Sequence, residues 1–116
     1  MIKLINVSNH PSSKWSDKQW QGFDVVYDIQ FPNVDPNWNT EQVGCLVDHI
    51  LDEINELDVN NIMLQGEFTL CYLLQNKLST KTIWIPTTER KVVEVVNADG
   101  TVTKNTTFEF VRWRMI

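Results

Sequence analysis

The chain has 116 residues, 42% of them hydrophobic, enough for one compact domain to build a real core without staples. Fifteen acidic residues against ten basic ones give a formal charge of −5, which argues against the broad basic face that non-specific binding to a nucleic-acid polymer requires. A small anion held in a local pocket is compatible with that balance.

Cys45 and Cys71 fall within helical apolar patterns, with no CxxC and no His/Cys spacing suited to zinc, so buried, unreactive thiols are expected. The chain starts directly on a strand pattern. It shows neither a signal-peptide pattern nor an apolar run long enough to span a bilayer, and a cytoplasmic location is the expectation.

In chain order, Ile2 to Val7 is a short, nearly continuous apolar run, as in a strand buried on both faces, and Ser8-Asn9-His10-Pro11 ends it. Ser16 with Gln19 makes a capping-box pattern, and Trp15 with Trp20 occupies the positions of a hydrophobic staple; Gly22 closes that short helix. Val25 to Phe31 is the second strand, and the two prolines of Pro32-Asn33-Val34-Asp35-Pro36 make the next stretch a loop. Asn39, with Gln42 three residues on, caps a second helix, along which Val43, Leu46, Val47, Ile50, Leu51, Ile54 and Leu57 recur at three- and four-residue spacing.

Ile62 to Leu64 is a third buried strand. Gln65-Gly66 leads from it into a third helix whose wide apolar arc (Phe68, Leu70, Cys71, Leu73, Leu74, Leu78) calls for burial on more than one side. Thr82 to Ile85 is the fourth strand, expected to stop at Pro86. From Lys91 the period changes to two, and Asp99-Gly100 between β-rich arms signals a hairpin over about 91–114. The expectation is therefore one α/β domain over 1–116: a Rossmann-like three-layer fold with a mainly parallel sheet, order 2-1-3-4, and a C-terminal β-hairpin.

In such a sheet ligands bind outside the carboxyl ends of the strands, at the switch point between strands one and three. Three polar clusters are expected to meet there: Ser8-Asn9-His10-Pro11, Gln65-Gly66-Glu67-Phe68-Thr69 and Thr87-Thr88-Glu89-Arg90. The imidazole of His10 suits proton transfer or phosphate binding near neutral pH, although a histidine in a turn is equally at home as a solvated residue. Gly66 allows close approach to the backbone, and amides in the first turn of the third helix would face an anion; the plainer reading is a tight turn whose Glu67 complements the helix dipole.

Arg90 is suited to a phosphate, and equally to an ion pair with Glu89 or Glu94. Arg112 and Arg114 are expected on one face of the last strand with Phe108 and Phe110, as an aromatic and cationic surface or as an edge-strand defence. His49 reads as structural or exposed, and Asp35, Asp48, Asp52 and Glu53 as solvated. No GxSxG elbow, Walker loop, dinucleotide fingerprint or HExxH occurs.

The opening strand with Ser8-Asn9-His10-Pro11 and Trp15 resembles the start of small CRISPR-associated proteins of the CARF-like (CRISPR-associated Rossmann fold) class, some of which are ring nucleases degrading cyclic oligoadenylate. Gln65 to Leu70, Thr88-Glu89-Arg90 and Phe108 to Arg112 resemble an associated group of short proteins, so the likeness spans the chain. The resemblance implies a homodimer around a two-fold-symmetric cyclic oligoadenylate or related small nucleotide in CRISPR antiviral signalling, with no cofactor and no membrane. It implies metal-independent cleavage in which a ribose 2′-hydroxyl attacks the adjacent phosphorus. His10 is then the acid or base, Arg90 and amides near Gly66 and Glu67 stabilise the anion, and Ser8, Asn9, Gln65, Thr69, Thr87 and Thr88 hold the nucleotide. A non-catalytic sensor or sponge, and a protein interaction module, are the alternatives.

Overall fold

The computed structural model describes residues 1–116. Five strands, β1 (Lys3–Ser8), β2 (Val25–Gln30), β3 (Asn61–Leu64), β4 (Thr82–Val96) and β5 (Val102–Met115), form one sheet in the order β2-β1-β3-β4-β5. The first four are mutually parallel, and β5 runs antiparallel to β4. The helices are α1 (Asp17–Trp20), α2 (Thr40–Glu56) and α3 (Phe68–Asn76). No helix is long and apolar enough to cross a membrane.

Alternation along the strands divides the sheet into two unlike faces. Ile5, Val7, Ile29, Ile62, Leu64 and Ile83 form the main core with Val43, Val47, Ile50 and Ile54 of α2 and Leu70 and Leu74 of α3. Helix α2 forms where its signals stand: Asn39 Oδ1 accepts from the Gln42 amide at 3.0 Å while the Asn39 amide donates to Gln42 Oε1 at 2.9 Å. Cys45 lies off the buried stripe of α2 and is exposed, contrary to expectation. Cys71 is half-buried, and burial, with a smaller push from the Glu67 charge, raises its thiol to about 11.

The other face carries Leu4, Asn6, Ser8, Asp28, Met63 and Trp84, and its cover is thin: a 3₁₀ turn at Ser12–Lys14 and the single turn of α1. The Ser16 side chain caps α1 by accepting from the Gln19 amide, and the Trp15 and Trp20 rings meet edge-on at 5.9 Å, so both start signals act on a helix of one turn. In place of a helical layer, aromatic rings fill this side. Phe23 packs on Trp84 at 5.7 Å and on Trp113 at 5.6 Å, and Trp15 packs on Trp113 at 5.5 Å.

Two expectations about the C-terminal third are corrected. Pro86 does not end β4, which continues to Val96. The carbonyl of Ile83 faces β5, accepting from the Ile116 amide, so alternation turns the nitrogen of Pro86 to the β3 side, where pairing has already stopped at Trp84. A missing N–H costs nothing there. The segment Thr87–Arg90 is thus strand, not loop.

Second, the pairing steps from Thr87↔Arg112 to Thr88↔Phe110, leaving Val111 as an extra residue on β5. The bulge inverts the face of everything beyond it. Phe108 and Phe110 share the α1 side with Trp113, whereas Arg112 and Arg114 pair with Thr87 and Ile85 on the α2/α3 side.

Past the bulge the hairpin leaves the body of the protein, and every residue from Thr88 to Glu109 is exposed. The radius of gyration is 17.3 Å and the longest extent 56 Å, against about 13 Å for the radius of a compact domain of this length. At the tip the Asn97 amide donates to the Thr101 carbonyl and Gly100 takes a φ of +86°, a three-residue loop that needs the left-handed region at its last position.

Candidate functional site

The two polar residues of β1 on the α1 face, Asn6 and Ser8, are 1% and 5% exposed, and their hydrogen bonds shape the loop that follows. Ser8 Oγ donates to Asn6 Oδ1 at 2.6 Å and accepts from the His10 amide at 3.1 Å. Asn6 Nδ2 donates to the His10 carbonyl at 2.8 Å and to Asp28 Oδ1 at 3.0 Å, across the β1–β2 register pair Asn6↔Asp28. Asp28 in turn accepts from the Ser12 amide and, at 3.0 Å, from its hydroxyl, and Trp15 Nε1 donates to the same His10 carbonyl at 3.1 Å. No buried side-chain polar atom is left without a partner, so this network is fully satisfied and holds the 8–12 backbone in one geometry.

Beside that loop, outside the carboxyl ends of β1 and β3, lies a cleft of about 630 Å³. Asn9, His10, Lys14, Trp15 and Gln19 form one wall, Gln65 the floor after β3, and Pro86, Thr88, Phe108 and Phe110 of the β4–β5 hairpin the other wall. Trp113 Nε1, donating to the Gln19 carbonyl at 2.9 Å, ties the two walls together. His10 and Lys14 are the ionisable side chains of the lining, and no carboxylate faces it, in a chain whose formal charge is −5. The cleft pairs a local cationic edge with three aromatic rings.

Of the residues expected at the site, Asn9, His10, Gln65 and Thr88 converge on this cleft. Ser8 lies behind it, engaged in the buried network and bordering a polar hollow of about 480 Å³ shared with Asn9, Lys14, Asp28 and Gln30. Glu67 and Thr69 line a different hollow with Asp35 and Trp38. Thr87 pairs with Arg112 on the α2/α3 side. Arg90 is on the cleft's face of the hairpin, opposite Phe108, but one step beyond the lining, and it makes no ion pair with Glu89 or Glu94.

The expected anion site on the amides of α3 is filled by the protein's own carboxylate. Glu67 Oε2 accepts from the Leu70 amide at 2.9 Å and Oε1 from the Thr69 amide at 3.0 Å. The Leu70 bond above all, and then those of Thr69, hold its carboxyl below the usual 4.5, against an opposing desolvation that is second in size to the Leu70 bond. Gly66 also has a packing reason: a Cβ there would stand 2.5 Å from the Phe31 ring.

Sequence reasoning missed Lys14, Gln19, Phe108 and Phe110 as cleft residues, and Asn6, Ser12 and Asp28 as the support of the His10 loop. Asn6, polar in the middle of an apolar strand run, and Asp28, in the neighbouring strand, were the visible signals.

A family model described as the uncharacterized protein MJ1673 family matches residues 2–114. No curated protein and no solved structure matches the chain.

Proposed function

The chain belongs to the uncharacterized protein MJ1673 family, and from its own cleft we propose that it binds a small nucleotide there, a cyclic oligoadenylate, and acts as a metal-independent ring nuclease in CRISPR antiviral signalling. The observation that carries this reading is the pairing, in a lining free of carboxylates, of Lys14 and His10 with the rings of Trp15, Phe108 and Phe110. Cations meet phosphates and aromatic faces stack on bases. Asn9, Gln19 and Gln65 supply amides for base edges. The strand order, with the cleft outside β1 and β3, supports a Rossmann-like description of the fold, and a cytoplasmic location goes with this reading.

In the reaction, the 2′-oxygen of one ribose bonds to the adjacent phosphorus, the bond from phosphorus to the 5′-oxygen breaks, and the products carry a 2′,3′-cyclic phosphate and a 5′-hydroxyl. The 2′-hydroxyl gives up a proton and the 5′-oxygen gains one, and His10 is the side chain suited to either transfer. Lys14 would offset the charge on the phosphoryl oxygens. Ser8 acts through the His10 loop rather than on the ligand.

A second reading, a sensor that binds without cleaving, is favoured by one feature: the His10 imidazole has no hydrogen-bond partner to orient it, only a clamped backbone. Incubation with a panel of cyclic oligoadenylates, followed by product analysis, decides between the two. Cleavage is expected, with His10→Ala lowering the single-turnover rate by about 100-fold and leaving binding within a few-fold. Binding without cleavage by the wild-type chain establishes the sensor; neither binding nor cleavage ends the nucleotide reading.

A further inference from the structure

We infer that Arg90 and Phe108, opposite each other on the β4–β5 hairpin at the mouth of the cleft, form a second ligand subsite, which takes the nucleotide next to the one held by His10 and Lys14. This subsite rests on the nucleotide reading of the cleft and adds a requirement to it: the ligand carries at least two phosphates joined through a nucleoside.

The three rings of the lining are not equivalent. Trp15 is committed to Trp20 at 5.9 Å and to Trp113 at 5.5 Å, and Phe110 to Trp113 at 5.2 Å. Phe108 packs on no other ring and is 67% exposed, so it alone stands clear of the aromatic cluster and can take a base on its face. Directly across the ladder from it is Arg90, on the same face of the hairpin. This pair lies two residues outward from Thr88 and Phe110 of the lining, roughly 7 Å, so the cleft continues along the ribbon.

Charge follows the same line. Arg90 makes no ion pair: Glu89 and Glu109 lie on the opposite face of the hairpin, where Lys91 meets Glu109 at 2.8 Å, and Glu94 on its own face is held by Lys104 at 3.6 Å. A free guanidinium beside an uncommitted ring, adjoining a lining without carboxylates, matches a phosphate attached to a stacked base. Lys14 and Arg90 then mark two phosphate positions. A mononucleotide meets only the first, so the pair selects an oligonucleotide over single nucleotides with the same base.

Calorimetric titration of the full chain tests this with two probes that lack the 2′-hydroxyl and so are not cleaved: deoxyadenosine 5′-monophosphate, and the deoxyadenosine dinucleotide with a 5′-phosphate. The wild type is expected to bind the dinucleotide about tenfold more tightly or better. Arg90→Ala should remove most of that gain without changing mononucleotide affinity, and should lower the slope of log K against log salt for the dinucleotide by about 0.7. Phe108→Ala should cost the dinucleotide more than the mononucleotide, and Lys14→Ala should weaken both. Arg90 and Phe108 are exposed, so circular dichroism should be unchanged in their variants. Equal wild-type affinity for the two probes, a gain that survives Arg90→Ala, or an Arg90→Ala that weakens both probes alike overturns the subsite and leaves the cleft reading in place. A wild type that binds neither probe also overturns the subsite, and if it binds no cyclic oligoadenylate either, the nucleotide reading falls with it.

Discussion

Strand β1, with Ile5 and Val7, and the outer half of β4, with Val92, Val93, Val95 and Val96, both carry β-branched residues, yet they live in opposite environments. Five of the six residues of β1 are buried, between α2 and α3 on one side and the aromatic cover on the other, while β4 beyond Thr87 has no buried residue at all. Strand propensity is therefore shared, and what separates the regions is cover. The body stands on packing within one chain, and the arm has none.

The sharpest way to break this comparison is to remove matched apolar groups from the two regions. Ile5, fully buried in β1, should cost about 2–5 kcal/mol when changed to Ala, whereas Val95→Ala on the exposed arm should stay within about 0.5 kcal/mol. Urea denaturation of both variants measures the difference; equal losses would mean that the arm folds as part of the core. Next in size is Gly66→Ala. Its new Cβ would meet the buried Phe31 ring at 2.5 Å, and overpacking of that kind costs about 1–3 kcal/mol. Because Gln65 precedes it in the cleft, ligand affinity should fall along with the denaturation midpoint.

A smaller effect is expected at the caps. Asn39→Ala, which removes one half of the reciprocal cap of α2, should lower stability by about 1 kcal/mol in the same measurement. Glu67→Gln sharpens the point by pH. The Glu67 carboxyl is held below 4.5 in the folded chain, so its stabilisation is full above that value and fades as pH falls through the lowered one. Melting temperatures of wild type and Glu67→Gln should differ near neutral pH and converge in acid, and a gap that persists in acid would show that the carboxylate charge is not the cause.

The three helices and the hairpin turn were legible because their signals are local: Asn39 with Gln42, the apolar stripe of α2, and Gly100 in its turn; the order of the parallel strands followed instead from the handedness of βαβ crossovers. The candidate site was legible only in part. His10, Asn9 and Gln65 follow strand ends, so the position of each strand in the sheet brings them together. Phe108 and Phe110 do not; they reach the cleft because a bulge at Val111, invisible in a run of alternating residues, inverts their face relative to Arg112 and Arg114. In the same way Arg90 was placed too close to the site, since Pro86 was read as a stop.

Sequence alone, then, settled the alternation of strand and helix up to Ile85 and where helix α2 begins, since periodicity and capping act within a few residues, but not that β4 runs on through Pro86. Tertiary structure alone decided which side of each strand is covered, and by what. Pro86 is harmless only because β3 has already ended beside it, and Asn6 is tolerated in the interior because Asp28, distant in the chain, stands beside it to accept from its side-chain amide; the Glu67 cap of α3, by contrast, is made within three residues and was open to a reading from sequence. The first two outcomes depend on what stands beside a backbone or side-chain polar group across the fold, and that is set by neighbours in space rather than in sequence.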